Sequence, residues 1–102
     1  MLSFFKKLMG ESTDFKALME AGAVVVDVRT PGEYAGGHIA GSKNYPLDSL
    51  QQHISTIKKW NKPVITVCRS GARSGMAIGV LKAAGIEAVN GGSWDGLQQK
   101  LG

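Results

Sequence analysis

One stretch constrains this chain more than any other: a β-branched, apolar run that ends at the only cysteine and leads into a loop of small residues. The run covers residues 64–67, the cysteine is Cys68, and RSGARS follows at residues 69–74. Apolar residues then recur at helical spacing as far as Leu81. This order predicts a buried strand, a tight loop and the N-terminus of a helix.

The loop predicts a chemical role for Cys68. A loop that turns into a helix start directs backbone N–H groups toward its centre, where they favour negative charge. Arg69 and Arg73 add fixed positive charge on either side. Cysteines in such settings have pKa values lowered from about 8.5 to roughly 3.5–7.5. A lone cysteine after a strand is more often core, but a structural cysteine has no use for two flanking arginines. We therefore predict a nucleophile that attacks an anionic substrate.

Four further motifs surround this stretch. They are DVRTPGEY at residues 27–34, GHIAG at 37–41, NYP at 44–46 and GGSW at 91–94. In this order, together with the cysteine loop, they resemble a single-domain rhodanese over residues 13–102. Residues 1–12 form an apolar-basic extension outside that resemblance. Within it, Ser42 is a minor departure, because the family usually has alanine after the GHIAG motif. The resemblance and the alternation of helices with strands imply a small three-layer α/β fold with a mostly parallel sheet.

The resemblance implies a sulfurtransferase. The Cys68 thiolate would attack the outer sulfur of thiosulfate or a related donor, sulfite would leave, and the persulfide would pass to cyanide, a thiol or a protein acceptor. Sulfite is a stable leaving anion, so the step needs no general acid, in agreement with a loop that lacks His, Asp and Glu. Cys68 is the predicted catalytic residue, with Arg73 ranked slightly ahead of Arg69 as its partner. The predicted substrate-binding residues are Arg69, Ser70, Gly71, Ala72, Arg73 and Ser74.

Two other functions stay open from the sequence alone. Rhodanese-like folds resemble a class of cysteine phosphatases, but those have a loop one residue longer than the four residues that separate Cys68 from Arg73. The shorter loop favours sulfur over phosphate. A non-turnover module that carries a persulfide or binds anions is the second alternative, because fold alone does not decide function.

Other candidate residues have simpler interpretations. Asp27 and Arg29 stand at the end of a predicted buried strand, and we expect a structural ion pair rather than a chemical role. His38 is expected to be satisfied by backbone groups, His53 to be a solvated helix residue and Met76 to be core. None of these five is predicted to be catalytic.

Local signals place the secondary structure. Ser12 or Thr13 is the expected cap of the first helix, Gly22 its stop, and Thr30 opens a capping box with proline at the first helical position. Helices are expected at residues 14–21, 30–36, 47–60, after the cysteine loop up to 85, and from 94 to about 101. Strands are expected at residues 23–28, 64–67 and 86–89, with room for a short one between 37 and 46.

Composition and charge narrow the partners. The 102 residues suffice for one domain. No acidic residue lies between Asp48 and Glu87, whereas six lysines and arginines do, so the half that carries the cysteine should attract small anions. There is no aromatic interleaving and no apolar run near the roughly 20 residues that span a bilayer. We expect neither nucleic-acid nor membrane binding.

The cysteine count sets the redox expectations. A single thiol rules out an intramolecular disulfide and a cysteine-rich metal site, and we expect no metal or organic cofactor. Sulfur held on Cys68 would need an external acceptor, because the chain has no resolving cysteine. We expect a small anionic sulfur donor, a thiol or protein acceptor, a monomer, and a cytoplasmic location where thiols stay reduced.

Overall fold

A computed structural model of the chain describes residues 13–102, so the extension predicted at residues 1–12 lies outside the described residues. The helices are α1 (Phe15–Glu20), α2 (Pro31–Ala35), α3 (Ile54–Trp60), α4 (Ala72–Ala83) and α5 (Trp94–Leu101), and a 3-10 helix over Leu47–His53 runs directly into α3. The strands are β1 (Val24–Asp27), β2 (Lys43–Asn44), β3 (Val64–Cys68) and β4 (Ala88–Ser93).

The four strands form one parallel sheet in the order β2-β1-β3-β4. All five residues of β3 are buried, as expected for a central strand covered on both faces. Successive side chains of a strand point to opposite faces, so Val25 and Val26 of β1 belong to different cores. Phe15 and Leu97 pack α1 and α5 against one face of the sheet. The opposite face is covered by α3, α4 and the 3-10 helix through Ile57, Leu81 and Leu50. The predicted three-layer α/β fold is confirmed.

The capping box at α2 is confirmed, and the cap of α1 is corrected. Thr30 Oγ1 accepts from the Glu33 amide at 3.3 Å, and Glu33 Oε1 accepts from the Thr30 amide at 3.0 Å. Helix α1 is capped by Asp14, whose Oδ1 accepts from the amide of Ala17 at 3.0 Å, and not by Thr13. Ser12, the other expected cap, lies outside the described residues. Asp14 precedes Ala17 by three residues, which is the spacing at which an N-cap side chain accepts from an unpaired amide of the first turn.

Strand β4 begins and ends later than predicted, because its pairing with β3 starts at Ala88 and continues past its two glycines to Ser93. Its register shifts between Thr66 and Cys68, where one extra residue of β4 is accommodated and Gly92 adopts a φ of +81°. A Cβ atom built on Gly91 would lie 2.8 Å from Ile65 Cγ2, so only glycine fits there. The bulge brings Ser93 opposite Cys68.

Two side-chain predictions are wrong. Met76 is 60% exposed, because α4 is apolar or small on most of its circumference and its buried face is formed by Ser74, Ala77 and Leu81 instead. His53 is half-buried and stacks on Tyr45, with ring centroids 4.2 Å apart, so it is not a freely solvated residue. Within residues 13–102, no helix is long and apolar enough to cross a membrane.

Asp27 and Arg29 form the expected ion pair. Asp27 is fully buried and Arg29 is 4% exposed. Arg29 Nε donates to both carboxylate oxygens of Asp27, at 2.9 and 3.0 Å, and one terminal nitrogen donates to Oδ2 at 2.6 Å. The same guanidinium donates to the carbonyls of Glu33 and Gly37, at 3.2 and 2.7 Å, and lies 4.8 Å from the ring centroid of Trp94.

Replacement of Arg29 should be costly. Arg29→Ala leaves the buried Asp27 carboxylate without its cation, and removal of one partner from such a pair costs about 3–5 kcal/mol of unfolding free energy. Equilibrium urea denaturation measures it. The matched control is Arg69→Ala, since Arg69 is exposed and its loss should stay within about 0.5 kcal/mol. Similar values for the two variants would contradict the structural role of Arg29.

Candidate active site

The carboxyl ends of the two central strands meet at one edge of the sheet, which is where open parallel sheets bind ligands. Cys68 is the last residue of β3, and three residues separate it from the start of α4 at Ala72. Gly71 turns the chain with a φ of +103°, which favours glycine. The predicted strand, loop and helix are therefore present in the predicted order.

Two hydrogen-bonding groups of this loop and helix lie beside the Cys68 sulfur. The amide of Gly71 donates to Sγ at 2.9 Å, and Ser74 Oγ lies 3.4 Å from Sγ. The Cys68 residue is only 1% exposed. Burial alone would raise the pKa of the thiol, but hydrogen bonds from the Ser74 hydroxyl and from the amides of Ser74, Gly71 and Ser70 outweigh it. Together they lower the pKa of Cys68 from its ordinary value to about 7.

The two arginines of the loop have different environments. Arg73 donates to both carboxylate oxygens of Glu33 in α2, at 2.8 and 3.0 Å. Hydrogen bonds from Arg73 and from the Thr30 amide lower the pKa of Glu33 to about 2, and Glu33 in turn raises the pKa of Arg73. Arg69 is exposed, and within residues 13–102 no carboxylate forms a salt bridge with it. Arg69 is therefore the loop guanidinium that remains available to an external anion.

A shallow groove lies beside Arg69. Its lining residues are Arg29, Gly32, Glu33, Gly36, Arg69 and Trp94. The aromatic ring of Trp94 and the guanidinium of Arg69 thus border the same depression next to the cysteine loop. Ser70 and Ala72 are exposed at the loop surface, whereas Ser74 is buried against the sulfur.

The expected structural role of His38 is confirmed. Its Nδ1 lies 2.8 Å from the carbonyl oxygen of Tyr34, and its ring stacks on that tyrosine with centroids 3.8 Å apart. In the part of the chain that the structure describes, no group of three or more histidine, cysteine, aspartate or glutamate residues is placed to hold a metal ion.

The sequence interpretation missed two residues of the site. Glu33 was recognised only as part of the capping box, and Asn90 was assigned no role. Asn90 lies on β4, and its side chain hydrogen bonds to Gly71, Gly92 and Ser74. Nothing in the local sequence signals the contact of Glu33 with Arg73, 40 positions away, or those of Asn90 with Ser74 and Gly71, 16 and 19 positions away.

The thiol should ionise near neutral pH. Thiolate absorbance at 240 nm, corrected with Cys68→Ser, should rise with a midpoint near pH 7 in the folded protein and near 8.5 in urea. Because the folded pKa is the lower one, the unfolded chain holds more protons between these midpoints, so the contribution of Cys68 to stability grows as pH rises through that window. A folded midpoint of 8.5 or above would rule out activation by the loop.

The chain also matches known proteins. A family model described as "Rhodanese-like domain" matches residues 11–100. The chain is 40% identical over 67 residues to the uncharacterized protein YqhL of Bacillus subtilis (strain 168), a stretch that covers 66% of this chain and only 52% of that relative. It is 39% identical over 88 residues to the thiosulfate sulfurtransferase GlpE of Pseudomonas fluorescens (strain Pf0-1), covering 86% of this chain and 78% of that protein.

A solved structure shows the same architecture. The rhodanese-like domain protein from Staphylococcus aureus is 32% identical and superposes with a TM-score of 0.68, over 92% of this chain and 83% of that one. The family match covers the whole sheet and the cysteine loop. The chain belongs to the family of rhodanese-like domains.

Proposed function

We propose that this chain is a thiosulfate sulfurtransferase. The Cys68 thiolate attacks the outer sulfur of thiosulfate, the sulfur–sulfur bond of the donor breaks, and sulfite leaves with the bonding electron pair. The outer sulfur of the resulting persulfide is then attacked by cyanide, a thiol or a protein acceptor, which returns Cys68 to the thiolate. The observation that carries the proposal is the hydrogen bond from the Gly71 amide to Cys68 Sγ at 2.9 Å.

The loop supports both half-reactions for the same physical reason. Its amides and the Ser74 hydroxyl surround a sulfur that is negatively charged as the attacking thiolate and again as the group displaced from the persulfide. The backbone amides are already oriented toward such a charge and stabilise it without reorganisation. A thiol with a pKa of about 7 is about half ionised at neutral pH, and it also leaves readily.

Arg69 is the residue that we propose receives the sulfonate end of the donor. Arg73 was ranked slightly ahead from the sequence, but its guanidinium is already bound to both oxygens of Glu33. Arg69 lies on the exposed surface of the loop beside the groove at Trp94. A planar guanidinium donates paired hydrogen bonds to oxyanions, which suits a sulfonate.

The relatives and the cysteine count favour turnover with an external acceptor. The match to a protein named thiosulfate sulfurtransferase covers 86% of this chain and 78% of that protein. Cys68 is the sole cysteine, so the persulfide has no thiol within the chain to which it could move. A reducing compartment such as the cytoplasm would supply small thiols and keep Cys68 active.

Mass spectrometry tests the persulfide directly. Reduced protein incubated with thiosulfate should gain one sulfur atom, and cyanide should remove it as thiocyanate appears. Cys68→Ser is the control and should gain none. If wild-type protein gained no sulfur from thiosulfate, turnover with this donor would be excluded. Loading from a protein persulfide alone would instead support the carrier function.

The two arginines should differ kinetically. Arg69→Ala should lower kcat/KM for thiosulfate by about tenfold, since a hydrogen bond to a charged group contributes about 1.5 kcal/mol. Arg73→Ala should have a smaller effect, because Arg73 is paired with Glu33. Steady-state assays with thiosulfate and cyanide separate the two. A larger loss in Arg73→Ala than in Arg69→Ala would identify Arg73 as the donor-binding residue.

A further inference from the structure

Asn90 connects β4 to the two groups that contact the Cys68 sulfur. Its Nδ2 donates to the carbonyl of Gly71 at 3.1 Å, and its Oδ1 accepts from the amide of Gly92 at 2.9 Å. A backbone carbonyl can only accept and a backbone N–H can only donate, so these two partners determine which end of the Asn90 side chain is the oxygen. That oxygen also lies 2.7 Å from Ser74 Oγ, which donates to it.

The Ser74 hydroxyl has one proton and two neighbours that compete for it. When Ser74 donates to Asn90 Oδ1, its oxygen lone pairs remain for the sulfur 3.4 Å away, and a neutral Cys68 thiol can donate to them. The Cys68 thiolate has no such proton and can only accept. To bind the thiolate, the Ser74 hydroxyl has to turn away from Asn90 and donate to the sulfur.

We propose that Asn90 is a positioning residue for Cys68, one that holds the Ser74 hydroxyl proton while the sulfur is neutral and releases it when the sulfur becomes negatively charged. Its catalytic meaning rests on the proposed function, in which the sulfur alternates between charged and uncharged forms. The neutral state keeps one satisfied chain of hydrogen bonds from Cys68 through Ser74 to Asn90. The charged state gains a donor without movement of the backbone.

Ser74 stays in place when Asn90 is replaced. It is fully buried within α4, and Thr66 Oγ1 of β3 donates to its carbonyl at 3.1 Å. Asn90 itself is exposed on β4, so water can reach the amide of Gly92 once the side chain is shortened. An alanine at position 90 therefore frees the Ser74 proton rather than displacing the Ser74 side chain.

Other charges around the sulfur remain constant in the comparison. The charged side chains that the loop, α4, α2, and β1 with the two residues after it bring to this edge of the sheet are Arg69, Arg73, Glu33, Asp27 and Arg29. Strand β4 contributes no charged residue. Because none of these side chains is altered, their influence on the pKa of Cys68 cancels when the effect of Ser74 is compared between backgrounds.

The test is a double-mutant cycle read by thiolate absorbance at 240 nm. Ser74→Ala should raise the pKa of Cys68 in the wild-type background, because the thiolate loses a donor. In the Asn90→Ala background the same substitution should raise the pKa of Cys68 by more than it does in the wild-type background. The two effects should differ by roughly threefold to tenfold in the ionisation constant, since the Ser74 proton is no longer held by Asn90. An equal or smaller rise in the Asn90→Ala background would overturn the proposal.

Two further backgrounds sharpen the result. Asn90→Asp keeps an oxygen acceptor for the Ser74 proton, so the rise caused by Ser74→Ala should return to the wild-type size or less. The added charge shifts both members of that pair and cancels in their difference. Asn44→Ala is the matched control, since Asn44 binds backbone carbonyls of Asp27 and Arg29 at the same edge without touching Ser74. A larger rise in the Asn44→Ala background would show general loosening instead and would reject the role of Asn90.

The titration needs no sulfur donor. Failure of the cycle would therefore remove the role of Asn90 and leave sulfur transfer untouched. Absence of persulfide formation would remove the proposed function while the coupling between Asn90 and Ser74 stood as measured.

Discussion

The buried ion pair between Asp27 and Arg29 is the interaction on which the rest of the site depends. A carboxylate with no exposure requires a cation, and Arg29 satisfies it through three donor contacts. The remaining donors of the same guanidinium bind the carbonyls of Glu33 and Gly37 and place α2 beside the end of β1. From there the Glu33 carboxylate reaches Arg73, so one buried charge pair organises the wall of the cysteine loop.

The chemistry at Cys68 depends on two opposing effects on its pKa, which burial raises and hydrogen bonding lowers. Burial disfavours the thiolate, and an apolar site of this depth would leave an inert thiol. The loop reverses that outcome because Gly71 turns with a positive φ and directs its amide at the sulfur, while Ser74 approaches from the first turn of α4. A shielded but ionisable sulfur suits transfer of a single atom, since water is kept from the reactive form.

Local patterns predicted the parts of the fold that depend on neighbouring residues. The capping box at Thr30, the strand before Cys68 and the stop of α1 near Gly22 are set within a few residues, and all three are present. The prediction that Met76 is a core residue was wrong because α4 has no distinct polar face, so the periodicity of its sequence did not show which side is buried. The predicted bounds of β4 were wrong because glycines carry no sequence signal for strand pairing. The close contact of Gly91 with Ile65 of β3 exists only in the folded chain.

The sequence by itself determined the central chemistry: one cysteine between a buried strand and a helix, in a loop whose amides must point inward, together with motifs that indicate the family. Tertiary structure decided which side chains complete it. Arg73 pairs with Glu33, 40 residues away, and leaves Arg69 free, while Asn90 reaches Ser74 across 16 residues. The physical reason is that the partner of a charge or a hydroxyl is set by distance in the folded chain. The sequence of the loop does not indicate which side chains of α2 and β4 lie next to it.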